Sequence, residues 1–319
     1  MVIVSILILV FCIHLWRKYL LLNETSIKNH EDFTGDLYQV GHSIVAHVKQ
    51  TTPLHKTIIC MHGYLEDYRY FTQLYTSNDG ELILINSCNY HAANKNITPM
   101  KAAWQIENPY EQHTIEHDAA VLIQAVKNLA NTDELLLHGH SRGGAVVLEA
   151  IKQNPDLFKN ATVILEAPIL PEASIIKTNK HPRVYDDLIL HVIIYWVPFI
   201  VAWLAKFGTP DFVLKNVQPM NERKKHLMLG IFNNPKYAKV LLDNIKNMKV
   251  WTLTNKVDLF DGIKKGYILI GSKDAVLNRQ LMLKVANRSK DNITVIESKD
   301  SSHFLTLDIP DQVKSLIFK

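Results

Sequence analysis

The chain has 319 residues, of which 47% are hydrophobic and 21% are charged, so it can bury a large core and is not a disordered protein. Its 35 basic and 31 acidic residues leave a net charge of only +4, which provides no strong positive field, so nucleic acid is excluded as a partner. The three cysteines, Cys12, Cys60 and Cys88, have no CxxC spacing, so neither a zinc site nor a disulfide framework is expected.

Residues 1–22 are predicted to form a single-pass membrane anchor. The run Val2–Trp16 is almost entirely apolar, and roughly 20 residues can span a bilayer here because Arg17 and Lys18 can extend to the interface. A cleaved signal peptide is the alternative, but it has basic residues before its apolar run and small residues at its cleavage site. Basic residues on the C-terminal flank place the following domain on the cytoplasmic side of the membrane.

A polar linker, residues 23–36, leads to an alternation of strands and helices. Apolar alternation within residues 38–50 predicts a first strand, and residues 111–130 form the clearest helix. Six β-branched or leucine-rich runs with helical connections are typical of parallel strands covered by helices on both faces, which predicts an α/β fold. These runs are Thr57–Met61, Leu82–Asn86, Leu135–His138, Thr162–Leu165, Tyr267–Ile270 and Ile293–Glu297.

Residues 169–262 interrupt this alternation because strand-like runs are scarce there. They are predicted to form a helical cap inserted between two parts of an α/β core, residues 37–168 and 263–319. Such a cap lies over the carboxyl ends of the strands, where ligands bind. Within it, the basic run Arg223-Lys224-Lys225-His226 is expected to be a solvated helix face.

The apolar stretch Leu188–Ala205 approaches the length of a second membrane span. A single crossing there would place Ser141 and His303 on opposite sides of the membrane, so a cap helix is the preferred interpretation. Its aromatic residues either line an acyl pocket, dip into the bilayer interface or face the core of the cap.

The motif Gly139-His140-Ser141-Arg142-Gly143 lies between a predicted strand and a predicted helix. A nucleophilic serine on this tight turn requires strained backbone angles, and glycines at 139 and 143 remove side chains that would collide. The turn directs the helix N-terminus at a developing oxyanion, with the N–H of Arg142 as a donor. An ordinary glycine-rich turn is the structural alternative.

A serine nucleophile also needs a second oxyanion donor, a base, and an acid that orients the base. Gly63 and Tyr64 follow the run Thr57–Met61, so the N–H of Tyr64 is the predicted second donor. His303 and Asp274 each lie in a loop that follows a predicted strand, and they are the predicted base and acid.

The acid has alternatives. Glu166 ends a predicted strand and is the strongest of them. Asp300 is poorly placed because it shares a loop with His303, and Asp258 and Asp261 are expected at the surface.

These segments resemble the α/β-hydrolase superfamily, specifically its serine esterase and lipase branch. The resemblance covers roughly residues 54–168 and 263–319 and leaves the cap unmatched. It implies Ser141 as nucleophile, Asp274 as acid and His303 as base, an oxyanion loop at Gly63-Tyr64, and neither a metal nor an organic cofactor. Serine at the turn argues against epoxide hydrolases and haloalkane dehalogenases, which attack with a carboxylate.

The resemblance implies hydrolysis of carboxylic esters through an acyl-enzyme, with a small-molecule or lipid ester as substrate. The preference for apolar acyl groups rests on the anchor and the aromatic residues of the cap, and the oligomeric state stays open. A catalytically inactive binding protein on the same fold is the main alternative. A zinc peptidase is a third hypothesis, because His113, Glu116 and His117 match an HxxEH pattern.

Overall fold

A mostly parallel sheet organises the chain in this computed structural model. The structure describes residues 2–22, 30–51, 55–91, 94, 97–173, 196, 199–200, 202–204, 217–228, 235–289 and 291–317. In these residues nine strands form one sheet, in the order β5-β1-β2-β4-β3-β6-β7-β8-β9. The strands are β1 Asp36–Val40, β2 Ser43–Val48, β3 Thr57–Met61, β4 Glu81–Asn86, β5 Met100–Lys101, β6 Leu135–His140, β7 Thr162–Glu166, β8 Lys265–Gly271 and β9 Ile293–Ser298.

The six predicted parallel strands are confirmed as β3, β4, β6, β7, β8 and β9, which pair in parallel. The region predicted as a first strand instead contains β2 and the end of β1, which pair with each other in antiparallel fashion. Gly41, at φ 59°, makes the turn between them. This conformation is easily adopted by glycine and ends β1 at Val40.

Helices cover the sheet on both faces. In β3, Ile59 and Met61 belong to the apolar cluster that includes α2 and α3, whereas Ile58 and Cys60 belong to the cluster on the opposite face. Alternation of side chains along a strand produces this division. The helices are α1 Val2–Leu22, α2 Ile115–Leu129, α3 Arg142–Gln153, α4 Pro155–Phe158, α5 Glu222–Met228, α6 Pro235–Thr254, α7 Arg279–Ala286, α8 Leu305–Asp308 and α9 Pro310–Ile317, with 3-10 turns at Tyr68–Tyr70 and Val257–Gly262.

The described part of residues 169–262 contributes α5 and α6. Helix α6 packs against the main domain: Tyr90 donates its hydroxyl to Asn244, and Trp251 donates its indole N–H to Glu149, both at 2.9 Å. The stretch Leu188–Ala205 lies largely outside the described residues, which include only 196, 199–200 and 202–204 of it.

Within the basic run of α5 only Lys225 is exposed, so the prediction of a solvated helix face is wrong for Arg223 and Lys224. The Lys224 side chain is only 1% exposed, and Arg223 forms an ion pair with Glu31 while donating to the carbonyl of Arg69 at 2.7 Å. Charged side chains can be buried when oxygen atoms of other segments surround them, and sequence-local patterns do not record those partners.

Helix α1 has no buried residue, and in the described part of the chain it is the one helix long and apolar enough to cross a membrane. Length and composition alone support that assignment, and a signal sequence has the same properties. The Trp16 ring lies 5.9 Å from the Phe199 ring, and the Arg17 guanidinium lies 5.7 Å from the same ring. The end of α1 therefore contacts the inserted segment.

Candidate active site

The carboxyl ends of the central parallel strands bring the candidate site residues to one edge of the sheet. Ser141 directly follows β6, and Glu166 ends the neighbouring strand β7. Loops after β8 and β9 carry Asp274 and His303, while Gly63 and Tyr64 follow β3 on the other side. This edge is where open α/β sheets bind ligands.

Ser141 has φ 51° and ψ −114° on the turn between β6 and α3. A non-glycine residue in such a region costs about 1–3 kcal/mol and persists only where its surroundings enforce it. The Ser141 N–H donates to the Glu166 carbonyl at 2.8 Å, and the Ser141 carbonyl accepts from the Ile169 N–H at 2.9 Å. These bonds to β7 and the segment after it hold the turn.

Glycines at both predicted positions permit this turn. A Cβ on Gly139 would overlap the Gly143 carbonyl oxygen, and a Cβ on Gly143 would overlap the Met61 carbonyl oxygen. A Cβ on Gly63 would lie 2.9 Å from the Ser141 Cβ, so the loop after β3 passes directly beside the serine. Close backbone approach therefore requires all three glycines.

Asp274 and His303 form a hydrogen-bonded pair, with 2.7 Å between Asp274 Oδ2 and His303 Nδ1. The other carboxylate oxygen accepts from the N–H groups of Val276 and Leu277 at 2.8 and 2.9 Å. Burial acts to raise the pKa of Asp274, but the charge and hydrogen bond of His303, with these N–H donors, lower it below its usual value. Asp274 is therefore ionised at neutral pH.

The loop that carries His303 is docked on the serine turn. His140, which precedes Ser141, has its Nε2 3.0 Å from the carbonyl oxygen of His303, and the two rings are 5.0 Å apart. The structure thus brings His303, Asp274 and the Ser141 turn to the same place.

Glu166, the alternative acid, is enclosed by other donors. It accepts from the Tyr70 hydroxyl at 2.6 Å, from the N–H and hydroxyl of Thr306 at 2.7 Å each, and from His138 Nε2 at 3.0 Å. Burial alone would raise the pKa of Glu166, but the charge of His140 and these hydrogen bonds lower it to about 2. Both carboxylate oxygens are thereby engaged away from His303.

The other three candidate acids lie at the surface. Asp300 is 65% exposed and pairs with Lys273 at 2.8 Å, and Asp258 and Asp261 are exposed as well. Asp300 therefore does not share the buried environment of Asp274.

The loop after β3 is fixed by two side chains of its own. His62 Nε2 accepts from the Ser87 N–H at 3.1 Å, so the ring proton is on Nδ1, which donates to the Gly63 carbonyl at 2.7 Å. The Gly63 N–H donates to Glu66 at 2.8 Å. Because that amide is occupied, the N–H of Tyr64 stays the predicted second oxyanion donor.

The side chain of Arg142 anchors the first turn of α3. Its guanidinium is fully buried and donates to Asp118 at 2.7 Å and to Ser87 at 3.0 Å. Burial opposes ionisation of Asp118, but the Arg142 charge prevails and holds the pKa of Asp118 far below its usual range. This ion pair fixes the residue whose backbone N–H is the predicted oxyanion donor.

His140 is a site residue that sequence reasoning did not identify. Its Nδ1 faces Glu66 at 2.8 Å and its Nε2 faces the His303 carbonyl, so both nitrogens donate and the ring is an imidazolium. The Tyr70 ring stacks on it at 4.4 Å. Burial lowers the pKa of His140, but Glu66 and Glu166 outweigh it and raise the pKa to about 9. Its place inside the serine motif was the only signal in the sequence.

The HxxEH residues are arranged differently from a metal site on one helix. His113 has φ 66° and precedes the N-cap residue Thr114, so it is not part of α2. Its ring nitrogens lie 3.0 Å from Asp243 and 2.9 Å from the Asn89 amide nitrogen. No group of three or more potential metal ligands occurs in the described part of the chain.

No protein-family model and no curated protein matches this sequence. Solved structures do match. A putative lipase from Acinetobacter baumannii is 16% identical, with 89% of each chain covered and a TM-score of 0.61. An esterase from Exiguobacterium antarcticum is 13% identical, with 89% of this chain and 98% of that chain covered and a TM-score of 0.62. A bromoperoxidase from Bacillus anthracis is 14% identical, with the same coverage and TM-score.

The chain has the α/β-hydrolase fold, which is the fold that the sequence resemblance implied. The names of these three structures differ, so the fold does not by itself select a reaction. The chemistry has to be argued from the site.

Proposed function

We propose that this protein is a serine hydrolase of carboxylic esters, with Ser141 as nucleophile, His303 as base and Asp274 as acid. The observation that carries the proposal is the strained Ser141 turn between β6 and α3, beside a histidine already paired with a buried carboxylate. A residue held in such a conformation at a strand–helix junction points to a functional role.

In the proposed reaction, His303 Nε2 takes the hydroxyl proton as Ser141 Oγ attacks the ester carbonyl. Asp274 accepts from Nδ1 and so keeps Nε2 available as the base. The N–H groups of Tyr64 and Arg142 stabilise the oxyanion. The alcohol leaves with the proton from His303, and a water molecule, deprotonated by His303, then releases the acid and restores the serine.

The domain organisation is part of the proposal: anchor at 1–22, linker at 23–36, core at 37–168 and 263–319, and cap at 169–262. Helix α1 supports the anchor through its length and exposure, and the basic residues after Trp16 support a cytoplasmic catalytic domain. Ile200 and Trp203, both more than half exposed, lie in the segment that contacts the end of α1. Apolar surface beside an anchor supports a lipid or other apolar acyl ester as substrate.

Labelling with a fluorophosphonate probe tests the reaction. We expect the full-length protein to be labelled, and Ser141→Ala to lose labelling while retaining its fold. Ser315→Ala is the matched control because Ser315 is exposed on α9, and it should be labelled like the wild type. Absence of labelling in the folded wild type would contradict the proposal and favour a catalytically inactive binding protein. A series of esters from acetyl to palmitoyl then tests the acyl preference.

A further inference from the structure

The amine of Lys224 is buried among oxygen atoms beside the loop that carries His303. Its Nζ lies 3.1 and 2.7 Å from the carbonyl oxygens of Val217 and Pro219, both from its own segment. It also lies 3.0 Å from Ser302 Oγ and 2.5 Å from Asp308 Oδ1, both from the other side. A buried ammonium persists only with such partners, so the contact is specific and not incidental.

Ser302 links the Lys224 amine to the backbone around His303, the next residue in the chain. Its N–H and its hydroxyl both donate to Asp308 Oδ2, at 2.8 and 2.6 Å, and its oxygen accepts from the N–H of Phe304 at 3.2 Å. The backbone on both sides of His303 is therefore fixed, before it by the Asp308 carboxylate and after it by the Ser302 hydroxyl. The carboxylate that holds this hydroxyl is itself buried and is paired with Lys224.

Helix α5, which carries Lys224, is seated directly on this region. Asn221 donates its amide to the Leu307 carbonyl at 2.8 Å and accepts from the Lys224 N–H at 2.8 Å. The Lys224 amine also lies 5.4 Å from the centre of the Phe304 ring. The inserted segment thus binds residues 302–308, which comprise the end of the His303 loop and helix α8, through a side chain predicted to be solvated.

We propose that Lys224 is a positioning residue for His303. Through this side chain, the inserted segment holds the loop that carries the proposed base. This inference rests on the proposed function. Without the amine, Asp308 would be a buried carboxylate lacking its cation, and the hydroxyl of Ser302 would lose its fixed geometry. A displacement of about 1 Å in a catalytic group can cost on the order of 100-fold in rate.

The test compares Lys224→Met with Lys225→Met in the full-length protein, because Lys225 is the exposed neighbour on the same helix. We expect Lys224→Met to slow fluorophosphonate labelling and lower kcat for a soluble ester by about 10- to 100-fold, with little change in KM. Lys225→Met should match the wild type. Adding Asp308→Asn to Lys224→Met should restore part of the rate, since the amide oxygen still accepts from Ser302 and no unpaired charge remains.

Wild-type labelling rates in folded Lys224→Met would overturn the inference, as would a lower melting temperature with an unchanged rate. If Lys224→Met does not fold, Ser302→Ala takes its place, and a folded Ser302→Ala protein that reacts at the wild-type rate would overturn it equally. These results are distinct from failure of the proposed function, in which the wild type itself would not be labelled.

Discussion

Glu166 ends strand β7, and Asp274 follows the neighbouring strand β8. Both carboxylates are buried, but their hydrogen-bond partners differ. All of the donors around Glu166 come from Tyr70, His138 and Thr306, which lock it into the core. Asp274 has one oxygen fixed by two backbone N–H groups and the other directed at His303. Two acids of similar burial can therefore have different partners, and their donors distinguish a carboxylate fixed within the core from one that is paired with a histidine at the edge of the sheet.

Asp274→Asn should cause the largest loss of activity. Its amide cannot accept the Nδ1 proton in the same way, so the imidazole would take the wrong tautomer, and kcat/KM should fall about 10³- to 10⁴-fold. The free energy of unfolding should change little by comparison. Ester hydrolysis and urea unfolding of the purified protein measure the two effects.

Glu166→Gln should show the reverse pattern. Loss of a buried, charge-assisted network costs about 3 kcal/mol. His138 would lose a charged acceptor, and His140 would keep Glu66 but lose the nearby charge of Glu166. The folded fraction should nevertheless hydrolyse esters within a few fold of the wild type. A stable Glu166→Gln protein with activity as low as that of Asp274→Asn would instead return the role of acid to Glu166.

His140 interacts with the regions around both acids, through the nearby charge of Glu166 and through its hydrogen bond to the carbonyl of His303. Its pKa is about 9 in the folded protein, against an ordinary value of 6.5. A group whose pKa is higher in the folded than in the unfolded protein stabilises the fold. This stabilisation is complete at pH values below the unfolded pKa, and it is lost as the pH rises through the folded pKa. The loss between about pH 6.5 and 9 should be on the order of 3 kcal/mol.

Urea unfolding across this pH range measures the effect, and His140→Gln is the control because it removes the titrating ring. The difference in unfolding free energy between wild type and variant should shrink as pH rises. An identical pH slope in both proteins would show that His140 is not the group responsible.

The sequence predicted the parallel strands, the serine turn and the loops that carry Asp274 and His303, because these depend on short-range patterns. Glycines at 139 and 143 were required for reasons that backbone geometry alone supplies. The sequence favoured Asp274 but left Glu166 open as the acid, since both lie at strand ends and most of the donors to Glu166 come from distant parts of the chain. His140 and Lys224 were missed for the same reason: their partners, Glu66 and Ser302, lie more than seventy residues away in the chain.

Arg223 and Lys224 are consecutive residues on α5, and their partners lie near opposite ends of the chain. Arg223 pairs with Glu31, which precedes β1, while Lys224 donates to Ser302, next to His303. One helical turn therefore joins the segment that precedes β1 to the loop that carries His303.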